Sequence, residues 1–483
     1  MAFRRLADFL EHLQRAGELA RIETEVLPDL EVAELVRRAA PVAGPAMLFG
    51  AVRGSQCPLL TYLLGTESRI RHALGVASMD DIVARMEGLI DPEQPTGWFE
   101  RLKTPPYVAA MESLPPRSVR TGPCQQVVRL GNDVDLGRLP NLTSGPNEPR
   151  PSITAALLFT MEPSTGRLVT GRCPLEVVDR SHLAVSLAEH DEAAGVLNEY
   201  ARRRQPMPFA AVLGGDPLLA LAASAPPAPG TDVCRLAALL GEKPVDVVSC
   251  RSIELHVPAE AEVILEGHLT PSEPWGEAGP SVTAAGFYRP AMPAPIVEVT
   301  AMTERANPVV QAIVPGPPPN EESTMRRAMA RILLPIAKLS IPGLVDYDLP
   351  PEGASRNVAV VALEKTHSGQ AHSIAYAAWG SHWLRFARFM VMVDAEVDVR
   401  SAGQVQRAVA AYFDPACDLI VARGPADPLD PAAAAGQLGT RVALDATRKL
   451  PGERAKPASH LAVMSEEMVR KVASRWPEYG LEK

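Results

Sequence analysis

The residues best placed to do acid–base chemistry lie between Glu262 and Tyr288, in EVILEGHLTPSEPWGEAGPSVTAAGFY. Two carboxylates, Glu273 and Glu277, flank Trp275, the one large ring of the loop. Around them Pro271, Pro274, Gly276, Gly279 and Pro280 rule out a helix or a central strand. A loop so rich in Pro has less freedom to lose on folding, so it holds a fixed shape cheaply. A carboxyl group held on such a loop against an apolar body can have its pKa raised and transfer a proton. The competing reading is a surface turn whose acids are solvated, the commoner state of charged loop residues. Before the loop, Val263, Ile264 and Leu265 form a short apolar run that reads as a strand.

The whole chain must position that loop. Its 483 residues exceed one ordinary core, and the length suggests about three domains. A hydrophobic share of 46% with 22% charged residues is that of a soluble globular protein. The net charge of -9 and the absence of a Lys/Arg block argue against a nucleic-acid binder. The 47 prolines are spread between apolar runs and punctuate structure rather than marking disorder. None of the six cysteines forms a C-x-x-C pair, so neither a zinc site nor a disulfide framework is indicated, and free thiols in a reducing cytosol are expected. The N-terminus carries Asp8 and Glu11 and no apolar core of a signal peptide, and no apolar run reaches membrane-spanning length. A soluble, cytoplasmic protein without membrane or nucleic-acid partners is the expectation.

Leu6, Phe9, Leu10 and Leu13 have helical spacing, with Gly17 where that helix would stop. Strands are expected at 46–49 and 59–62 and a helix at 79–89. From 125 to 310 short β-rich runs recur at 126–130, 153–159, 168–171, 210–213, 245–248, 262–265, 284–288 and 297–299, interrupted by a helix at 188–203. That pattern predicts a barrel-like sheet. From about 325 helices (325–336, 381–385, 405–412) alternate with strands (358–363, 389–393, 418–421), which implies an α/β layer. A charged helix closes the chain at 464–476. The expected division is 1–120, 121–320, 321–460 and a C-terminal helix in 461–483.

The order of eight pieces resembles the UbiD-like decarboxylases: FRRLADFLEHLQRAGELARI, NDVDLGRLPNL, RPSITAALLF, TGRCPLEV, AAVLGGDPLLALAAS, VPAEAEVILEG, GPSVTAAGFY and VALDATRKLPGE. The resemblance covers nearly the whole chain. It implies an α+β multidomain fold: an N-terminal α/β domain, a central split β-barrel similar to flavin reductases, and a C-terminal α/β dimerisation domain. It also implies prenylated FMN, supplied by a flavin prenyltransferase and held with a divalent Mn or Mg ion and K+. The implied reaction is the reversible decarboxylation of an aromatic or α,β-unsaturated acid by a homodimer or an assembly of dimers.

Carried over by residue, the family's catalytic Arg falls on Arg172, and a guanidinium can clamp a substrate carboxylate through two hydrogen bonds. Its metal-ligating His falls on His190, whereas its Asn position is Arg167 and its Glu position is Val233 or, one residue away, Asp232. An Arg cannot ligate a cation, and a hard divalent ion needs oxygen ligands. Arg167 could instead pair directly with a phosphate. Thr154, Ser224 and Lys365 fall in the cofactor-binding pieces. Aligning on Gly279-Pro280 and Gly286-Phe287 puts Thr283 at the proton donor's position, and a hydroxyl is far too weak an acid to replace a carboxyl. Aligning PWGE instead makes Glu277 the donor and Glu273 its partner. Both alignments stand on the sequence. Beside the flavin enzyme, two further readings remain: a member working without flavin or metal, as a cofactor-free decarboxylase or a subunit of a multi-component carboxylase, and a ligand-binding protein on the same scaffold.

Overall fold

The structure is a computed structural model that describes residues 3–90, 106–188, 191–226, 232–271, 275–353, 356–427, 429–432, 438–453, 462 and 464–480. The opening helix, Leu6–Arg15, buries Leu6, Phe9, Leu10 and Leu13, the residues whose spacing predicts it. It packs beside a four-stranded sheet in the order Leu19–Ile22, Ala46–Phe49, Leu59–Thr61, Val310–Ala312. The fourth strand comes from far along the chain and pairs in parallel with the third. The N-terminal unit is therefore closed by the segment that leads out of the middle of the protein.

The central unit is a nine-stranded sheet curled into a half-barrel. Its path runs Ser152–Ile153, Leu175–Val177, His182–Val185, Ile296–Glu304, Val263–Leu269, Met207–Leu213, Leu157–Met161, Leu168–Arg172, and Val127–Leu130 pairs with Ile296–Glu304 beside that path. Leu158, Leu183, Phe209, Leu265 and Val297 pack inside the curl against Val196, Leu197 and Tyr200 of the helix Glu192–Arg203. The C-terminal unit is a five-stranded sheet in the order Leu344–Asp348, Val358–Leu363, Phe389–Asp394, Leu438–Asp445, Leu419–Pro425.

Four elements differ from the sequence expectation. The run at 153–159 is broken into Ser152–Ile153 and Leu157–Met161, because the chain changes neighbours at Thr154. Residues 284–287 are a turn rather than a strand: Gly286 has φ +84, and a Cβ there would meet Pro317 Cα at 2.8 Å. The helix expected at 325–336 begins earlier, at Glu321, and splits at Leu333 into Glu321–Ile332 and Leu334–Ser340, as Pro335 has no N–H to continue the ladder. No helix forms at 381–385. The helix is Gln370–Gly380, where Ala371, Ile374, Ala375 and Ala378 make the buried stripe, and Ser381 is already extended.

The tail helix, Glu466–Ser474, buries none of its residues. Among the described residues no helix is long and apolar enough to cross a membrane. All six cysteines are free thiols.

Candidate active site

Arg172 ends the edge strand Leu168–Arg172, where the half-barrel faces the start of the C-terminal unit. Its Nη2 donates to Glu322 Oε2 at 3.0 Å. The two side chains are only 15% and 16% exposed, so the pair is largely shielded from water. Arg172 Nε is buried with no hydrogen-bond partner among the described residues. Arg326, one helical turn beyond Glu322, donates to its other carboxylate oxygen. Burial alone would push the Glu322 carboxyl up, but Arg172 and Arg326 outweigh it and hold it down at about 2.

The helix that presents Glu322 starts where it does because Asn320 caps it. Asn320 Oδ1 accepts from Ser323 N at 2.9 Å, and Ser323 Oγ accepts from Asn320 N at 3.0 Å. Asn320 Nδ2 also donates to Ala284 O (2.9 Å) and Gly316 O (2.7 Å), which ties the helix start to the turn after Thr283. Glu321 points toward the N-terminal unit. Its Oε1 accepts the Leu64 N–H at 2.7 Å, and its Oε2 is buried without a partner among the described residues. Burial raises the Glu321 carboxyl to about 7, against the opposing pulls of the Leu64 amide, Arg69 and Arg172.

Further guanidinium groups line the same seam. Arg356 makes a two-pronged pair with Asp427 at 2.6 and 2.9 Å. Arg356 and Arg385 both lie over the Phe386 ring, 4.1 and 4.7 Å from its centroid. Asp191, at the N-cap of Glu192–Arg203, is close enough for its charge to act on Arg289, Arg356 and Arg385. Arg289 donates to Ser186 Oγ (2.9 Å) and Ser281 Oγ (3.1 Å), while its Nε is buried and unpaired among the described residues. Burial lowers the pKa of Arg289, with Glu176 opposing; Glu176 itself is matched by Arg150 at 3.2 Å. The seam thus sets Arg172, Arg289, Arg326, Arg356 and Arg385 against Asp191, Glu322 and Asp427. Buried positive charge in surplus, with N–H groups left over, is an arrangement for an anion.

The sequence-derived site residues fall in several places. Thr154 lies in the break between two strands, and Cys173 N donates to Ala156 O at 3.0 Å, so the Thr154 segment runs beside the end of the Arg172 strand. Its Oγ1 is buried with no partner among the described residues. Arg167 opens the Arg172 strand and is held by Glu192 at 2.6 Å and Glu162 at 3.4 Å. Asp232 caps the helix Val233–Gly241 through Cys234 N at 2.8 Å, and Val233 N donates to Thr170 Oγ1 at 3.0 Å, beside the same strand. Ser224 is buried and donates to Leu221 O at 2.7 Å. His190 and Glu273 lie outside the described residues.

Glu277 is exposed on the short strand Gly276–Ala278, while its neighbour Ala278 packs with Ala184 and Ala294. The Glu277 carbonyl accepts from Arg150. Thr283 is buried, and both its N–H and its hydroxyl donate to Phe287 O at 2.9 Å, so the hydroxyl is already committed. Lys365 Nζ is enclosed by Glu453 (2.7 Å), Thr447 Oγ1 (3.0 Å) and Asp445 (3.4 Å), all in the C-terminal unit. The structure therefore places Arg167 and Arg172 at opposite ends of one edge strand, with the Thr154 segment beside the Arg172 end, and leaves Lys365 in a separate ionic cluster.

Sequence reasoning missed Asp191, Arg289, Glu322, Arg326, Arg356 and Asp427. One signal was present for two of them. Asn320-x-x-Ser323 is a capping pattern, and Glu322 and Arg326 stand four apart on the helix it opens.

Models of 3-octaprenyl-4-hydroxybenzoate carboxy-lyase match three successive stretches of the chain. The N-terminal domain model matches residues 10–86, the Rift-related domain model 117–318, and the C-terminal domain model 323–446. This chain belongs to the UbiD family. A relative at 33% identity over 483 residues, an uncharacterized protein of Aquifex aeolicus (strain VF5), is covered over 99% of both chains. The UbiD-class enzyme HmfF of Pelotomaculum thermopropionicum, solved with FMN, is 27% identical with a TM-score of 0.77, covering 97% of this chain and 99% of that one. An evolved dimeric form of HmfF, solved with prFMN, is 25% identical with a TM-score of 0.78, covering 96% and 98%. The closed form of vanillic acid decarboxylase from Sedimentibacter hydroxybenzoicus is 22% identical with a TM-score of 0.88 over 100% of both chains, a likeness of fold.

Proposed function

We propose that this UbiD-family protein is a non-oxidative (de)carboxylase of an aromatic, heteroaromatic or α,β-unsaturated acid and that it uses prenylated FMN. The observation that carries the reading is Arg172, a shielded guanidinium at the seam with one N–H group unpaired among the described residues and a carboxylate, Glu322, already seated on another. A site that holds an internal carboxylate in this way can hold that of a substrate. Thr154 Oγ1 and Arg289 Nε, both buried and without a partner among the described residues, fit an anionic, hydrogen-bonding cofactor. Thr154, Ser224, Arg289 and Arg167 would hold it. Bound there, prenylated FMN supplies the electron sink for the carbon that loses CO2.

The chain's own groups orient and protonate. Arg172 binds the substrate carboxylate and aligns the bond to be broken. With the Thr283 hydroxyl committed to Phe287 O, Glu277, with Glu273 as its partner, is the carboxyl assigned to deliver the proton that replaces CO2. A divalent metal does not fit the donor set. Arg167 stands where the family pattern has Asn, and its guanidinium is paired with Glu192 and Glu162.

A second reading, a member that works without flavin or as a subunit of a multi-component carboxylase, is favoured by Lys365. Its Nζ is taken up by Glu453 and Asp445 rather than left for a phosphate. Exchange of 13C-bicarbonate into a panel of aromatic and unsaturated acids separates the two. Exchange by protein co-expressed with a flavin prenyltransferase, and not by protein expressed without it, supports the flavin enzyme. Equal exchange from both preparations supports the second reading.

We also infer that the protein self-associates through its C-terminal sheet. Val421, Val442 and Phe389 are successive neighbours across three strands, and Leu419, Leu444 and Val391 form the next row. Val421 (54%), Phe389 (43%) and Leu419 (42%) remain exposed, an apolar face of the kind a dimer covers.

A further inference from the structure

A cavity of about 310 Å³ lies in the C-terminal unit, lined among others by Phe386, Arg388, Asp427, Asp430, Thr440 and Arg441. Its two acids are already matched. Asp427 takes both prongs of Arg356, and Asp430 pairs with Arg388 at 3.1 Å while accepting Ala432 N–H at 3.0 Å. Arg441 is not matched. It is 5% exposed, it donates to the Pro425 carbonyl at 2.7 Å, and it sits 5.7 Å from the centroid of the Trp379 ring. Trp379 is itself fixed by donating to Ala387 O at 2.9 Å. Among the described residues no carboxylate pairs with Arg441, and burial lowers its pKa with no acid opposing. Arg388 Nε, on the same wall, is also buried without a partner among the described residues.

A guanidinium removed from water without a counter-charge is costly, and buried charges are ordinarily paired. Here the unmatched cation faces an open volume at the lower end of the size of small-molecule pockets. We propose that this cavity is a second anion site, taking a small oxyanion of the carboxylate, bicarbonate or phosphate class, with Arg441 as its fixed cation and Arg388 and Thr440 as further donors. The cavity borders the seam, with which it shares Phe386 and Asp427, but its fixed cation, Arg441, is not one of the seam's arginines. The assignment does not depend on the decarboxylase reading, because it rests on Arg441 and its cavity alone.

The test is calorimetric titration of the full chain carrying Arg172→Met, which removes the seam's carboxylate clamp from the readout. Benzoate, bicarbonate and inorganic phosphate are titrated in turn at fixed ionic strength, since screening would otherwise change with each salt. At least one of the three binds saturably to this protein, and adding Arg441→Met weakens that binding by roughly tenfold to a hundredfold, the value of a charge-assisted hydrogen bond. Which anion binds identifies the source. If the double variant does not fold by circular dichroism, Thr440→Val, at an exposed position on the same wall, replaces it and weakens binding severalfold. No saturable binding of any of the three overturns the proposal. So does unchanged affinity in the Arg441→Met or Thr440→Val protein, including the case where Arg441→Met alters only the assembly mass.

Discussion

At the scale of single residues, three neighbours in space, Arg172, Glu322 and Glu321, set the charge of the seam. Arg172→Met should lower turnover by about a hundredfold or more, as loss of a charged group acting on the reacting centre does. It should lower the thermal midpoint only modestly, because Glu322 keeps Arg326. Parallel activity and unfolding measurements check this, and a collapse of the midpoint would mean that Arg172 is chiefly structural. The two glutamates give opposite pH signatures. Glu322 is held at about 2, below its ordinary 4.5, so its contribution is present above pH 4.5 and is lost as pH falls toward 2. Glu321 is raised to about 7, so between pH 4.5 and 7 the folded state binds more protons than the unfolded one. Stability therefore falls as pH rises through that window, by up to ~1.4 kcal/mol per unit. Glu321→Gln, whose amide oxygen can still accept the Leu64 N–H, should raise the thermal midpoint at pH 8 and leave it nearly unchanged at pH 4.5. An equal shift at both values would contradict the raised pKa. Arg172 was singled out in the sequence by its place in TGRCPLEV. Glu322 was not, because the apolar periodicity of its helix begins only at Met325 and the two residues meet across 150 positions.

At the scale of elements, the helix Glu321–Ile332 aims Glu322, and its start depends on Asn320. Asn320→Ala removes a capping box, worth about 1 kcal/mol, together with the side-chain donors that hold Ala284 O and Gly316 O. The expected result is a lower thermal midpoint and a weaker apparent affinity for the acid substrate, with Asn320→Asp intermediate because it keeps the cap and loses the two donors. Steady-state kinetics beside a melting curve read both, and a wild-type affinity for the Ala variant would detach the cap from the site. Strands that are unbroken apolar runs, such as Ala46–Phe49 and Val358–Leu363, were readable from the sequence with the bounds observed. Elements set by long-range contacts were not. The turn at 284–287 exists because Gly286 packs against Pro317, and Val310–Ala312 becomes a strand only because Leu59–Thr61 lies beside it.

At the scale of the whole molecule, the order of landmarks conveyed the family and its mixed α+β fold, and the charge of the seam emerged only once the parts were assembled. Nothing in the local sequence around Arg289, Arg326, Arg356 or Arg385 links one to another. Only the folded chain draws them toward Arg172. The uncovered rows of the C-terminal sheet yield a prediction at this scale: Val421→Asp should shift the assembly toward monomer by light scattering while leaving the monomer folded, and an unchanged mass would place self-association elsewhere. The flavin reading is tested most directly by what the purified protein carries. The chain is co-expressed with a flavin prenyltransferase, purified in the dark without oxygen, and examined by absorption spectroscopy and by mass analysis of the released ligand. Prenylated FMN near one equivalent per chain in the wild type is the predicted result. A protein that repeatedly comes through colourless and ligand-free would contradict it, and the chemistry would then belong to a site around Arg172 and Glu277 that works without flavin.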